Sequence, residues 1–342
     1  MAILITALDL VLPPTTAFLL LLLYPALSFI RWIKFLVGLL VCEDVRGKVI
    51  LITGASSGIG EHMTYQYAKR GARLVLVARR EYLLKQVADH AMKKGAVDVH
   101  VIVADVAKQE DCKRFVDETV NKYGRLDHLV NNAGIVHSFF FETAKNTAGM
   151  LQVMEVVFWG SVYPTFYALP HLRRSQGKIL VTDSIASVIP HPRQSIYNAA
   201  KAALLQFFET LRLEMGDTIG ITVMMPGMFE SEITKGKFVS DDGELSVKPP
   251  DQRDAHLGSI PVAYTEDCAR AAVLGVLRSR RYVVVPYFYW AFIMLRIYAP
   301  EILETIFRTF YVYHPQEPLS KVILEKTKTQ RVFYPQTIGK QH

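Results

Sequence analysis

Cysteine is scarce in this sequence, and its spacing excludes the kinds of site that depend on it. Among 342 residues only three are cysteines, Cys42, Cys112 and Cys268. They are widely separated and lack the C-x-x-C or histidine spacing of a metal site, so reduced structural thiols are predicted and no metal centre. The sequence also has no Asn-x-Ser/Thr sequon, which agrees with a folded region that faces the cytosol.

Charge of one sign is not concentrated anywhere in the chain. The net charge of +7 arises from 39 basic and 32 acidic residues that are spread along the sequence. Without a block of Lys and Arg, electrostatics do not predict a nucleic-acid partner. An anionic membrane surface is the more natural partner for this modest excess.

Residues 1–42 are almost entirely apolar, and no charged side chain occurs in residues 10–30. A helix of that length reaches about 31 Å, close to the thickness of a bilayer core. A cleaved signal peptide is not expected, because Asp9 is the only charged residue before Arg31 and no small-residue cleavage pattern follows. The prediction is a hydrophobic anchor that stays on the protein.

Three prolines, Pro13, Pro14 and Pro25, interrupt this anchor. Each removes a backbone donor, which is costly where no water can replace it. One interpretation is a kinked or hairpin insertion into a single lipid leaflet, suited to a lipid droplet as well as to a bilayer. The others are a single span, whose positive flank at Arg31 leaves the next domain in the cytosol, and a buried soluble helix.

Short apolar runs alternate with helix-length segments through the middle of the chain. The runs occupy residues 48–53, 73–78, 99–103, 126–130, 178–182 and 221–225. Such alternation predicts an α/β fold with a doubly wound parallel sheet. One domain is expected over residues 46–285, followed by an aromatic-rich C-terminal extension over residues 286–342.

A glycine-rich turn directly follows the first apolar run and precedes a helix. In doubly wound sheets ligands bind at this edge, where the helix N-terminus directs free N–H groups at a phosphate. The turn therefore predicts a dinucleotide site. Its expected contacts are Gly54, Ser56, Ser57, Gly58, Ile59 and Gly60.

The end of the second apolar run predicts which dinucleotide is preferred. A carboxylate there would accept the ribose hydroxyls of NAD, but the sequence has Arg79 and Arg80. Two guanidinium groups favour the 2′-phosphate of NADP, although they could also be solvated residues that open the next helix. Asp105, after the third run, is expected to meet the adenine. The turn Asn132, Ala133 and Gly134, after the fourth, is expected beside a ribose.

Tyr197 and Lys201 are four residues apart in a helix-length segment, so they share one face of the helix. Alone, such a pair would be an ordinary surface feature. With TGxxxGxG at residues 53–60, NNAG at residues 131–134 and Ser184 upstream, the chain resembles the short-chain dehydrogenase/reductase family, whose fold is Rossmann-type. The resemblance covers roughly residues 46–285.

The resemblance implies an NADP(H)-dependent oxidoreductase in which Tyr197, Lys201 and Ser184 are catalytic. A phenol with a pKa of about 10 exchanges protons slowly at neutral pH, so a nearby ammonium is expected to lower the pKa of Tyr197. Lys201 would also hold the nicotinamide ribose. Ser184 would bind the substrate oxygen.

The chain is also similar to steroleosins, the plant 11β-hydroxysteroid dehydrogenase-like proteins of oil bodies. The segments that carry this similarity are the proline-containing stretch 13–26 and residues 124–134, 158–163 and 197–209. The similarity implies a hydrophobic steroid- or sterol-like substrate. It also implies a location on lipid droplets or the endoplasmic reticulum membrane, with the catalytic domain facing the cytosol.

One residue departs from the family pattern, because Val157 stands where an asparagine is usual. A branched alkyl group cannot make the polar contact that bends this helix and positions a water near the lysine, so weaker turnover with intact cofactor binding is expected. The rival hypothesis is a sterol-binding or structural lipid-droplet protein that keeps the fold but has lost useful catalysis.

Two aromatic features remain open from the sequence. Residues 282–298 and 303–313 are rich in aromatics and either pack on the domain or press into a lipid surface. Phe207 and Phe208, on the helix that carries Lys201, fit either a homodimer contact or internal packing.

Overall fold

The protein is described by a computed structural model that covers residues 1–40, 42–313 and 317–335. The chain forms two compact units, Met1–Glu43 and Asp44–His342. Parts of the predicted C-terminal extension, residues 314–316 and 336–342, lie outside the described residues.

The first unit contains one long helix, α1, which spans Ala2–Leu40 and runs through all three prolines. Within it, Leu4–Ile33 is 30 residues long with a mean hydropathy of 1.9, and none of its most apolar stretch is buried. Length and composition therefore suffice for a membrane span. The helix continues through all three prolines without the turn of the hairpin alternative, although each proline lacks a backbone donor.

The second unit is built on a sheet of seven parallel strands, in the order β3-β2-β1-β4-β5-β6-β9. Its strands are β1 (Val49–Thr53), β2 (Arg73–Ala78), β3 (Asp98–Val103), β4 (His128–Asn131), β5 (Lys178–Thr182), β6 (Gly220–Pro226) and β9 (Tyr282–Val285). A separate antiparallel hairpin joins β7 (Lys237–Val239) and β8 (Leu245–Val247). The predicted doubly wound fold is confirmed.

Twelve helices belong to the second unit within the described residues. Those up to the sixth strand are α2 (Gly58–Ala68), α3 (Glu81–Lys93), α4 (Gln109–Tyr123), α5 (Ala148–Met154), α6 (Gly160–Ser175) and α7 (Ser195–Met215). The remainder are α8 (Pro250–Leu257), α9 (Thr265–Leu277), α10 (Tyr289–Tyr298), α11 (Pro300–Phe307), α12 (Leu319–Thr327) and α13 (Gln330–Phe333). A π-helical turn, Glu155–Trp159, joins α5 to α6.

The alternation of side chains along the strands explains why both faces of the sheet are covered. In β1, Val49 and Leu51 belong to one buried cluster, while Ile50 and Ile52 belong to the other. Successive residues of a strand point to opposite faces, so a strand without polar positions requires helices on both sides. The continuous apolar runs in the sequence follow from this requirement.

Within the seven-stranded sheet, two strands differ most from the sequence prediction. β4 begins at His128, because the Asp127 carboxylate accepts the Val49 N–H (2.9 Å) and pairs with Arg125 instead of continuing the apolar run. β9 was not predicted as a strand, since its YVVV pattern merges with the aromatic stretch that follows.

The C-terminal segment packs on the second unit through two small apolar clusters. Tyr289 and Ile293 from α10 and Leu303 from α11 are buried beside Ile189. Leu324 from α12 and Tyr334 are buried beside Leu257 and Val262. These contacts cover part of the edge where the strands end.

Phe208 lies within the core and is completely buried, whereas Phe207 is partly buried and its ring contacts that of Phe158. Internal packing therefore accounts for Phe208, and a homodimer contact through Phe207 stays a prediction.

Phe208→Ala should lower the free energy of unfolding by about 3–5 kcal/mol, because it removes a fully buried aromatic ring and leaves a cavity. Urea unfolding of residues 44–342 provides the measurement. Leu213→Ala, on the same helix but 79% exposed, is the matched control and should change the value by less than about 0.5 kcal/mol. Equal losses in both variants would contradict the assigned core position.

Candidate active site

A cavity of about 410 Å³ opens at the carboxyl ends of the parallel strands. The predicted site residues that line it are Gly54, Ser56, Ser57, Gly58, Ile59, Arg79, Arg80, Asp105, Asn132, Ala133, Gly134, Ser184, Tyr197 and Lys201. Gly60 is the one predicted contact that does not line it. The sequence prediction thus selected residues from the turns after five strands and from helix α7, which the fold brings to one crevice.

The glycine turn after β1 leaves no room for side chains behind the crevice. A Cβ atom on Gly60 would lie 2.3 Å from the Gly54 carbonyl oxygen and 2.5 Å from the Asn132 amide nitrogen. Only glycine permits this approach, which brings the first turn of α2 and its unpaired N–H groups against the strand ends. Such a cradle has the shape and polarity that a pyrophosphate requires.

Asn132 joins three strand ends and thereby fixes the crevice. Its amide Nδ2 donates to the Thr53 carbonyl oxygen (3.1 Å), and its Oδ1 accepts from the Thr182 hydroxyl (3.2 Å). The Thr53 hydroxyl in turn accepts the backbone N–H of Asn132 (2.9 Å). The Asn132 side chain, in the turn predicted to lie beside a ribose, therefore holds the ends of β1, β4 and β5 together.

Arg80 lies over the glycine turn, whereas Arg79 is directed more toward solvent. The guanidinium Nη2 of Arg80 donates to the hydroxyls of Ser56 (3.0 Å) and Ser57 (2.8 Å), and its Nη1 pairs with the Glu232 carboxylate. Arg79 is 52% exposed and lies 3.8 Å from the Asp105 carboxylate. The Arg80 guanidinium and the hydroxyls of Ser56 and Ser57 thus lie together in the crevice.

Ser184 and the helix α7 bring the predicted catalytic side chains to the same part of the cavity. Ser184 follows β5, and its hydroxyl accepts the Ala186 N–H (3.1 Å). The Lys201 ammonium is buried, donates to the Thr182 carbonyl oxygen (2.7 Å) and lies 5.7 Å from the centre of the Tyr197 ring. Tyr197 and Lys201 therefore converge as their helical spacing predicts.

The electrostatics of this group differ from the expectation that Lys201 lowers the pKa of Tyr197. Loss of hydration raises the pKa of Tyr197, the Ser184 hydroxyl opposes that rise, and the negative charge of Asp183 adds to it. Burial also lowers the pKa of Lys201. Removal from water is the largest cause in both cases, because it disfavours the phenolate of Tyr197 and the ammonium of Lys201 alike.

Asp183, which precedes Ser184, is a buried carboxylate next to this group. Its two oxygens have no hydrogen-bond partner, although the Ser187 hydroxyl and the Ser184 N–H approach them. Burial raises the pKa of Asp183 and the positive charge of Lys201 opposes that rise, while Asp183 in turn raises the pKa of Lys201. The two groups therefore act as mutual counter-charges.

The part of the cavity lining outside the predicted site residues is mostly apolar, with a small polar set. Apolar contributions come from Ile185, Ile189, Met228, Ile260, Phe288, Phe292 and Phe307. Among the polar residues, the buried His256 ring bonds to Gln194 (3.0 Å) and to the Ser138 hydroxyl (2.7 Å). Burial lowers the pKa values of His191 and His256 to about 4 and about 3, so both rings are neutral at physiological pH.

Sequence reasoning missed His191, Gln194, His256 and Glu232 as cavity residues. They come from loops and from the segment after β6, where no motif marks them. Proximity of His191 and Gln194 to Tyr197 along the chain was the one available signal.

Comparison with known proteins identifies the family. The profile described as "short chain dehydrogenase" matches residues 48–241, which is more than half of the chain. The chain belongs to the short-chain dehydrogenase family. The resemblance found in the motifs is thereby confirmed, and the protein is an oxidoreductase of that family.

Plant members of the family are similar over almost the whole chain. An 11-beta-hydroxysteroid dehydrogenase of Pinus massoniana is 51% identical, with 90% of this chain and 86% of that protein covered. The 11-beta-hydroxysteroid dehydrogenase A of Arachis hypogaea is 48% identical, with 97% and 96% covered. This short-chain dehydrogenase is thus related to the plant 11-beta-hydroxysteroid dehydrogenases.

Solved structures show the same fold with a nucleotide in place. A short-chain dehydrogenase/reductase from Burkholderia phymatum in complex with NAD has a TM-score of 0.66 at 24% identity, covering 76% of this chain and 96% of that one. An alcohol dehydrogenase from Thermococcus sibiricus, complexed with 5-hydroxy-NADP, has a TM-score of 0.58 at 26% identity, covering 70% and 95%.

Val157 lies in the π-helical turn between α5 and α6, and its side chain is completely buried. Its carbonyl oxygen accepts the Ser161 hydroxyl (3.2 Å). The irregular turn that the family asparagine was expected to create is therefore present without a polar side chain at this position.

Asp183→Asn should shift the alkaline limb of the pH–rate profile to lower pH. The charge of Lys201 is present below its pKa and is lost as pH rises through it. Removing the carboxylate that raises this pKa should move the limb down by about one pH unit in carbonyl reduction assays. Asp98→Asn, which removes an equal charge on β3 at the edge of the sheet, is the control. Identical pH–rate profiles for the unmodified protein and both variants would refute the coupling between Asp183 and Lys201.

Proposed function

We propose that this short-chain dehydrogenase interconverts a hydroxyl and a ketone on a steroid- or sterol-like lipid, with NADP(H) as cofactor. The observation that carries the proposal is the convergence of Ser184, Tyr197 and Lys201 at the junction of the glycine-lined crevice and an apolar cavity. A nucleotide bound along the crevice supplies or accepts the hydride. The side chains of the protein handle the accompanying proton.

The cofactor proposal rests on the charge of the crevice beyond β2. Arg80 and the hydroxyls of Ser56 and Ser57 form a donor set that suits the 2′-phosphate of NADP. The cradle at Gly60 suits the pyrophosphate. The two residues directly after β2 are Arg79 and Arg80, so no carboxylate stands at the position that would accept the ribose hydroxyls of NAD.

The three catalytic side chains have distinct proposed roles. Ser184 orients the substrate oxygen with its hydroxyl. Tyr197 gives its phenolic proton to that oxygen during reduction and takes it back during oxidation. The raised pKa of Tyr197 keeps the phenol protonated in the absence of substrate. Lys201 holds the nicotinamide ribose with its ammonium and stabilises the phenolate that remains after transfer.

The substrate class is inferred from the apolar part of the cavity lining. Its walls of Ile189, Ile260, Phe292 and Phe307 can enclose a rigid apolar skeleton, while neutral polar groups such as His191 can meet a second oxygen. A large apolar lining with a few polar groups is typical of sites for such lipids. The names of the plant relatives point to the same class.

The proposed location is the surface of lipid droplets or of the endoplasmic reticulum, with residues 44–342 in the cytosol. α1 supplies an apolar anchor. A second apolar surface, the α10/α11 surface, exposes Trp290, Ile297, Tyr298 and Ile302. It adjoins Phe288 and Phe292, which line the cavity, so a water-insoluble substrate could enter from lipid.

The rival function, a catalytically weak sterol-binding or structural lipid-droplet protein, is favoured by Val157. Its alkyl side chain lies among apolar neighbours and supplies no polar group near Lys201. This rival function predicts that the protein binds sterol and NADPH but does not turn the sterol over.

The central test is purified protein assayed with NADPH or NADP⁺ against a panel of steroid ketones and alcohols, beside Tyr197→Phe. The variant keeps the ring but loses the exchangeable proton, so we expect a rate loss of roughly 10²–10⁴-fold with NADPH affinity retained. Turnover that is equal in both proteins would refute the role of Tyr197. Binding of sterol and NADPH with no turnover by the unmodified protein would favour the rival function.

Residues 44–342 without α1 should still bind liposomes of phosphatidylcholine and phosphatidylserine through the α10/α11 surface. The double change Ile297→Asp and Ile302→Asp should weaken this binding by roughly tenfold or more, because two apolar side chains no longer enter lipid. Leu213→Asp, which alters an exposed apolar residue on α7, is the control. Equal flotation of all three proteins with liposomes would contradict a contact at this surface.

A further inference from the structure

The segment between β6 and β7 carries a carboxylate, Glu232, that lines the proposed cofactor crevice. Thr234 holds this segment in a tight turn, because its hydroxyl accepts the Ser231 N–H (2.8 Å) and donates to the Phe229 carbonyl oxygen (2.9 Å). From this turn Glu232 extends to two cations. Its Oε1 accepts from Arg80, and its Oε2 accepts from Lys237 Nζ (3.0 Å).

The contact occupies the same guanidinium group that the Ser56 and Ser57 hydroxyls orient. Arg80 uses Nη2 for the two serines and Nη1 for Glu232. Together with Lys237, these four side chains line the cavity. Partial burial raises the pKa of Glu232, but hydrogen bonds from Arg80 and Lys237 lower it by more than burial raises it. The pKa is therefore below its usual value, and the group is ionised at neutral pH. A negative charge therefore already sits on the arginine proposed for the 2′-phosphate.

We propose that Glu232 is a specificity-determining residue that competes with the 2′-phosphate of NADP(H) for Arg80 and so limits the preference of this enzyme for NADP(H) over NAD(H). The inference rests on the proposed cofactor site. A phosphate dianion brings more charge and more acceptor oxygens than a carboxylate, so it displaces Glu232 from Arg80. NADH, which has only ribose hydroxyls there, leaves the Arg80–Glu232 pair intact, and the carboxylate can accept one of those hydroxyls.

The expected size of the effect follows from the exposure of the pair. The side chains of Arg80 and Glu232 are 37% and 38% exposed, and pairs of this kind contribute little net free energy. Displacing Glu232 should therefore reduce NADPH affinity by roughly threefold to fivefold and not abolish it.

The experiment compares the unmodified full-length protein in mild detergent with Glu232→Gln, which removes the charge and keeps the shape. Dissociation constants for NADPH and NADH are measured by fluorescence titration. The ratio of NADH to NADPH dissociation constants should rise roughly threefold to fivefold in the variant. Glu230→Gln is the matched control, since Glu230 pairs with Lys235 (3.7 Å) on the same segment but does not line the cavity.

A second pair of probes isolates the phosphate. Adenosine 2′,5′-bisphosphate should bind more tightly to Glu232→Gln than to the unmodified protein, whereas adenosine 5′-monophosphate should not gain affinity. An unchanged or lower NADH-to-NADPH ratio in Glu232→Gln, or an equal rise in Glu230→Gln, would overturn the inference.

Failure of the proposed cofactor gives a different result. In that case the unmodified protein would bind NADPH no better than NADH, and Arg80→Met would not lower the affinity for adenosine 2′,5′-bisphosphate. If those two measurements show the NADP preference while Glu232→Gln changes nothing, the cofactor assignment stands and the competition by Glu232 is refuted.

Discussion

The active site depends on one set of hydrogen bonds at the ends of three parallel strands. Asn132 and the hydroxyls of Thr53 and Thr182 join β1, β4 and β5 through partly buried hydrogen bonds of 2.9–3.2 Å. Because these strand ends are fixed, the glycine turn after β1 and Ser184 after β5 have fixed relative positions. Lys201 adds to the same network through the Thr182 carbonyl oxygen. The crevice proposed for the cofactor and the group proposed for proton transfer are thus built on one polar framework.

Most of this arrangement could be predicted from sequence because its causes are local. Apolar runs such as residues 48–53 require a sheet covered on both faces, and a tyrosine four residues before Lys201 shares its helix face whatever else the chain does. Glycine at position 60 indicates that the start of α2 packs so closely against the backbone at Gly54 that no side chain fits between them. Such features depend on a few neighbouring residues and survive differences elsewhere.

Other features could not be predicted because they depend on contacts between distant segments. Glu232 meets Arg80 across a separation of 152 residues, and no spacing rule relates them. The raised pKa of Tyr197 follows from desolvation by the assembled domain, which a reference pKa and a nearby lysine do not report. For Val157, the sequence shows the missing amide but not the π-helical turn that the backbone forms there. In α1, three prolines suggested a kink or a turn, yet the helix continues through all of them.

The C-terminal segment has a structural role at the cofactor crevice that its position in the chain conceals. The Tyr289 ring fills the space beside Gly227, where a Cβ atom would lie 1.8 Å from a ring carbon, and its hydroxyl accepts the Met228 N–H (3.2 Å). The turn after β6 is therefore completed by a residue of α10, the helix that also carries part of the exposed apolar surface. If α10 docked on a lipid surface, a force on that helix would also act on the wall of the proposed nucleotide crevice. A chain that ended before α10 would leave that wall open to water.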